Sequence, residues 1–260
     1  PARSPCQPER KMNVQDRAGT PVPTQDSVRA SRIMFYSHDT FGLGHLRRSR
    51  ALASALTASD EGTSAIILTG SPIAGRFTFP ERVDHVRLPG VSKLHDGTYV
   101  SQTLGLDIDE TTALRSGLIQ TAVEQYDPDL LIVDKEPTGF RGELLPTLEW
   151  LATRGSTRCV LGLRDVLDEA QVLRAEWERK GAIEAAEQFY DEIWVYGPKS
   201  VYDPTEGLGL APATRERIHW TGYLRREITD AAETPEDPYV LITPCGGGDG
   251  QAMVNLVLSA

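Results

Sequence analysis

The stretch Ser37-His38-Asp39-Thr40-Phe41-Gly42-Leu43-Gly44-His45-Leu46-Arg47-Arg48-Ser49-Arg50 decides how the rest of the chain is read. It closes a short apolar run, Arg32–Ser37, of the kind that forms a buried strand. It leads into residues 46–57, where Leu46, Leu52, Ala53 and Leu56 share one helical face while Arg47, Arg50 and Ser54 lie off it. Strand, glycine turn and helix in that order open a Rossmann-like unit. In open parallel sheets, ligands lie beyond the carboxyl ends of the strands, near the reversal of strand order. Gly42 and Gly44 allow positive φ and a close approach of the backbone. The helix start offers free N–H groups and partial positive charge. His45 would stand in that first turn, at the mouth of the cleft. The positive helix end disfavours imidazolium there, and a neutral ring can take a proton from a hydroxyl or a water. A histidine that merely caps or packs is the alternative; the glycine turn and the strand end favour function. Arg47 and Arg48 are read as solvated, though either could steer an anion.

Outward from this turn, strands are expected at Ser64–Thr69, 84–88, 129–133, 158–163, Glu192–Tyr196 and 217–221. Helices are expected at 109–126 with Asp109 as cap, at 143–153 and at 169–190. Residues 89–108 read as a long polar loop, of a length that is often functional. Strand and helix alternate throughout, which predicts an α/β fold: a Rossmann-like parallel sheet flanked by helices over residues 32–224. Residues 1–31 are rich in Pro, Arg, Gln, Ser and Thr and read as a disordered extension. An expression remnant, or an upstream stretch before a start at Met12, would look the same. Residues 225–238 are acidic and proline-bearing, an interdomain linker. Residues 239–243, a glycine run and a helix from Gln251 then read as the first strand–turn–helix of a second α/β domain, with most of that domain lacking. Both ends of the sequence suggest a fragment.

The bulk properties narrow the partners. A chain of 260 residues with a formal charge of −10 and no long basic run is not built to hold nucleic acid by general electrostatics. No apolar run reaches membrane-spanning length, and no signal-peptide core stands at the start. Cys6, Cys159 and Cys245 have neither metal nor disulfide spacing, so a reducing cytoplasm is the default reading.

Other positions carry candidate chemistry. Asp134 and Glu136 follow a strand end that faces the same cleft as the first turn; they could orient His45 or hold a sugar hydroxyl, or be loop and capping charges. Arg164 and Asp165, after the 158–163 strand, carry the same argument more weakly. Asp107-Ile108-Asp109 has the look of a metal-binding Asp-x-Asp, but capping suits Asp109 better. No zinc pattern and no Gly-x-Ser-x-Gly elbow is present. Gly246, Gly247, Gly248, Asp249 and Gly250 lie between a strand and a helix, where bare backbone could wrap a diphosphate; without a Walker lysine this is no ATPase loop. Dinucleotide binding needs a small residue where Arg47 stands and an acid where Thr69-Gly70-Ser71 stands, so NAD is not expected.

These motifs together resemble the two-domain GT-B glycosyltransferases, and within them the MurG-like group, glycosyltransferase family 28. Members open with a Gly-x-Gly-His turn after the first strand and begin their C-terminal domain with a glycine-rich loop. HDTFGLGHLRRSRALASAL, DLLIVDKEPTG, LGLRDVLDE and TPCGGGDG look most like an uncharacterised bacterial branch of predicted glycosyltransferases, over about residues 32–260. The resemblance implies a nucleotide-diphosphate sugar donor, a UDP-sugar foremost, and an acceptor of unknown identity. His45 would be the acceptor base, with Asp39, Gly42, Gly44, Asp134, Glu136, Arg164 and Asp165 lining the substrate side. The glycines of 246–250 and Asp249 would contact the donor diphosphate. It implies no metal and no cofactor, a cytoplasmic setting and room for peripheral contact with a membrane. A chain lacking most of the donor domain is expected to be inactive alone. A nucleotide-sugar hydrolase is the competing reading, since the pseudaminic-acid-pathway hydrolase has a stretch similar to residues 42–47. Nucleotide-sugar 2-epimerases are more distant, and a binding module without chemistry is the reading from another class.

Overall fold

The computed structural model of the protein describes residues 30–38, 43–94, 98–167, 169–225, 238–243 and 250–259. The expectations for most of 1–31, for Asp39 and Gly42, for most of the 225–238 linker and for Gly246, Gly247, Gly248 and Asp249 lie outside the described residues.

The core is one seven-stranded sheet. It is built from β1 (Arg32–Ser37), β2 (Ser64–Thr69), β3 (Val83–Arg87), β6 (Leu130–Asp134), β7 (Arg158–Arg164), β8 (Glu192–Tyr196) and β9 (Ile218–Trp220). The spatial order is β3-β2-β1-β6-β7-β8-β9, and every pairing is parallel. The chain winds outward from β1 through β2 to β3, then returns to the other side of β1 and winds the opposite way. Right-handed crossovers therefore place helices on opposite faces of the two halves. The helix α1 (Gly44–Ser59) covers one face and buries Leu46 and Ala53 against Ile33, Phe35, Ile67 and Val160. The helices α2 (Ile108–Tyr126), α3 (Leu145–Arg154), α4 (Ala170–Lys180) and α5 (Ala182–Phe189) supply Ile119, Leu148, Trp177 and Ala186 to the other face. Because β1 is covered on both faces, Met34 and Tyr36 point into one core and Phe35 into the other, which is why it reads as a continuous apolar run.

Several boundaries differ from the sequence expectation, each for a physical reason. The 89–108 stretch holds an antiparallel ribbon, β4 (Val91–Lys93) with β5 (Tyr99–Ser101), whose strands are too short for alternation to register. The cap of α2 is Asp107 rather than Asp109: the Glu110 amide donates to its carboxylate at 2.7 Å and Glu110 reaches back, a capping box. Asp109 pairs instead with Arg141 on the surface. The expected 169–190 helix is two helices, broken where Gly181 takes φ +62°. Among the described residues, 239–243 have no strand partner and leave Val240 82 % and Leu241 72 % exposed, while, after the short α6 (Pro212–Arg215), α7 (Gln251–Leu258) forms where a helix was expected. A strand exists only with a hydrogen-bonded neighbour, and none of the described strands lies beside this one.

Candidate functional site

The reversal of strand order falls between β1 and β6, so their carboxyl ends flank the crevice where such sheets take ligands. Residues 69, 37, 134 and 162 pair across four adjacent strands there. By alternation from Ile67, Phe35, Ile132 and Val160, this row faces α1. Thr69, Ser37, Asp134 and Gly162 thus form a polar and small-residue band in an otherwise apolar face.

Helix α1 meets this band with its first turn. It opens on Gly44, with no side-chain cap from Leu43. Gly44 is helical, not left-handed, and a Cβ there would touch none of the described residues within 4 Å. Nothing among the described residues therefore demands glycine at 44, contrary to the positive φ the turn was expected to exploit; the missing side chain leaves space between them at the helix start. His45 and Arg48 lie three residues apart and both reach Asp134. His45 Nδ1 is 2.9 Å from Asp134 Oδ2, and Arg48 Nη1 donates to both carboxylate oxygens at 2.7 Å. The side chains are 17 % exposed for His45 and Arg48 and 4 % for Asp134. Arg48 is thus held against Asp134 in the candidate site and is not the solvated charge expected from the sequence; Arg47 is the exposed one. With the proton on Nδ1 facing the carboxylate, His45 Nε2 remains as an acceptor. That is the arrangement in which a carboxylate fixes the tautomer of a general base.

A second histidine, His38, follows β1 directly. It is buried, its Nδ1 has no hydrogen-bond partner among the described residues, and its ring lies edge-on to His45 at 6.0 Å between centroids. Burial, reinforced by His45, Lys135, Arg115 and Lys180, holds its titration well below the ordinary histidine value. Its other face stacks near Phe140 at 6.3 Å, and Phe140 meets Tyr99 of β5 edge-on at 5.0 Å. A line of rings therefore joins the β4–β5 ribbon to the first turn of α1. Phe140 belongs to a segment dense in left-handed backbone: Lys135, Gly139, Arg141 and Gly142 have φ of 73°, 71°, 50° and 83°. At Gly139 a Cβ would also meet Leu144 Cγ at 2.7 Å. This segment delivers Glu143 into the interior. There Arg115 donates to both its oxygens at 2.6 Å and the Tyr36 hydroxyl donates to Oε1 at 2.7 Å.

Of the residues singled out in the sequence, His45 and Asp134 are brought into contact. Glu136 is taken up by Lys180 at 3.0 Å and approached by Lys135 at 3.8 Å, so orienting His45 falls to Asp134. Burial disfavours the Lys180 ammonium, yet Glu136 and Glu176 outweigh it and raise its titration. Arg164 ends β7 exposed; Asp165 accepts a hydrogen bond from the Tyr223 hydroxyl and packs its Cβ against Gly197. Gly250 is buried and immediately precedes α7. No cluster of three metal-ligating side chains occurs among the described residues. No helix among them is long and apolar enough to cross a membrane. Cys159 is buried, and desolvation pushes its thiol up to about 12. His38, Arg48, which was read as solvated, and Tyr196 adjoin this contact without having been singled out for it. The first had a signal in its strand-end position, and the second in its spacing of three from His45.

The chain was also compared with known proteins. No family model matches it, and no curated protein does. Solved structures align with it at low identity. A glycosyltransferase from Rickettsia africae ESF-5 is 11 % identical over 74 % of this chain and 42 % of its own, with a TM-score of 0.47. A UDP-glucosyltransferase from Polygonum tinctorium capable of glucosylating indoxyl is 12 % identical over 77 % and 54 %, with a TM-score of 0.49. A transferase from Siraitia grosvenorii in complex with UDP is 13 % identical over 74 % and 50 %, with a TM-score of 0.47. The chain spans about half the length of these structures.

Proposed function

We propose that this chain carries the acceptor side of a MurG-like GT-B glycosyltransferase that moves a hexosyl group from a nucleotide-diphosphate sugar to an acceptor hydroxyl. The observation that carries the reading is the His45–Asp134 contact at the strand-order reversal. In the reaction, the acceptor O–H proton passes to His45 Nε2 and the freed oxygen pair forms the bond to the sugar C1. The C1–O bond to the diphosphate breaks, and its electron pair leaves with the nucleotide diphosphate. Asp134 holds the imidazole through Nδ1 while it becomes cationic. Residues 32–224 form the acceptor-side domain in this reading, 225–238 the linker, and 239–260 the start of the donor domain. Gly246, Gly247, Gly248, Asp249 and Gly250 receive the diphosphate at the α7 N-terminus, with UDP the favoured nucleotide. No metal is assigned, because amides and side chains carry the leaving charge. The substrate side takes in Asp39, Gly42, Gly44, Glu136, Arg164 and Asp165.

The test is turnover of a panel of nucleotide-sugars by the full-length protein, its H45A and D134N variants, and the parent with a chelator. H45A is expected to lower kcat by about 10²–10⁴-fold, D134N to lower it by a similar order, and the chelator to leave it intact. Unchanged turnover in H45A removes the general-base role. Release of free sugar with no acceptor present would replace transfer by hydrolysis at the same base.

A further inference from the structure

Asp134 is a single carboxylate with two cationic or potentially cationic partners, both from α1. Arg48 takes both of its oxygens at 2.7 Å, while His45 takes Oδ2 at 2.9 Å. A buried carboxylate beside an imidazole favours the protonated ring, because each proton taken up gains a counter-charge. A guanidinium that already neutralises that carboxylate removes most of the gain. The Arg48 position is itself built into the sheet. Its guanidinium lies 5.4 Å over the ring of Tyr196 at the end of β8. The Tyr196 hydroxyl is buried without a hydrogen-bond partner among the described residues, and it lies over Gly162, where a Cβ would come within 2.1 Å of it. Gly162 is the register partner of Asp134. So the absence of a side chain at 162 admits Tyr196, Tyr196 forms the floor under Arg48, and Arg48 shares Asp134 with His45.

We infer that Arg48 is a positioning residue that sets the proton affinity of His45 by competing for Asp134, keeping the imidazole free to accept a proton from substrate. This rests on the reading of His45 as base. Among the described residues, the groups facing His45 are Asp134 from β6, Arg48 from its own helix and His38 from the end of β1. Of these only Arg48 carries a fixed positive charge on the shared carboxylate. Loss of that charge leaves Asp134 to His45 alone, so the ring should hold its proton to higher pH.

The experiment is an NMR titration of the His45 imidazole in the chain with R48M, R48Q and R48K, alongside the pH profile of kcat/KM in the full-length protein. R48M and R48Q are expected to raise the His45 titration midpoint by about one pH unit or more, and to carry the acidic limb of kcat/KM upward with it. R48K keeps a cation and should stay near the parent. R48Q retains an amide donor to Asp134 and serves if R48M fails to fold. A midpoint unmoved in R48Q, or moved as far in R48K, overturns the inference. The two readings fail separately. If the midpoint moves but H45A turns over normally, the base assignment falls and the charge competition stands. If H45A is inactive and the R48Q midpoint is unmoved, only the competition falls.

Discussion

His38 and His45 share one crevice under opposite constraints. His45 has a carboxylate beside it; His38 has an apolar wall, an unpaired Nδ1 and cations around it. The folded state therefore refuses His38 a proton that the unfolded chain accepts at about pH 6.5. Between the depressed folded value and that point the unfolded state binds more protons, so stability falls as pH falls. The slope from this one group is at most about 1.4 kcal/mol per pH unit. Urea unfolding midpoints of the parent should thus decline below about pH 6.5, and H38Q should flatten that decline; parallel curves would exclude His38 as the source. Glu143 is constrained differently. It is fully buried with two hydrogen bonds from Arg115 and one from Tyr36, so E143Q leaves a buried guanidinium without its counter-charge. The expected loss is about 3–5 kcal/mol, read as a drop in chemical-denaturation stability, and the paired R115M/E143L replacement should cost less. Of these residues only His45 and Asp134 were legible in the sequence, because a glycine turn and a strand end advertise themselves locally. Arg115 with Glu143, and Arg48 with Asp134, meet across 28 and 86 residues. Those meetings depend on which strands are neighbours, which no local pattern carries.

Among the elements, α1 is the one whose first turn meets the candidate site. Among the described residues, a glycine at its first residue is not required by backbone angle or by packing, since a methyl there would meet none of them. G44A is accordingly expected to keep or slightly raise the melting temperature, because alanine is the better helix former. The same methyl would occupy the space beside His45 and lower turnover of nucleotide-sugars by the full-length protein. A G44A variant with a lowered melting temperature, or with parental turnover, would contradict this. Strands with strong apolar runs, such as β1, β2 and β8, were legible to the residue. The β4–β5 ribbon was not, since three residues per strand carry no period. The 169–190 helix was read through Gly181 because the charged pattern continues on both sides, and only the left-handed angle shows that the axis changes. The α2 cap was misplaced by two residues because Asp107 and Asp109 both suit the role by type. The reciprocal bond from Glu110 decides between them.

At the scale of the molecule, the parallel sheet with its reversed order was legible from the alternation of elements, and the place of the reversal followed from which strand came first. What alternation leaves open is how early each half of the crevice assembles. The neighbour of β1 on one side, β2, arrives after a single helix, whereas β6 arrives only after two more strands of the sheet, the ribbon and α2. His45 and Asp134 are 89 residues apart in sequence. Closing a loop of that length costs more chain entropy and comes later than closing the β1–β2 unit. In pulse-labelling hydrogen exchange during refolding, the amides of β1 and α1 should gain protection before those of β6; simultaneous protection would show that the halves form together. On that order the histidine is in place before its carboxylate, and their contact forms only once β6 has joined β1. A truncated or misfolded copy that lacks β6 in the sheet would carry residues 42–45 intact and yet lack the His45–Asp134 contact, so that this pair is made only where the two halves of the sheet join.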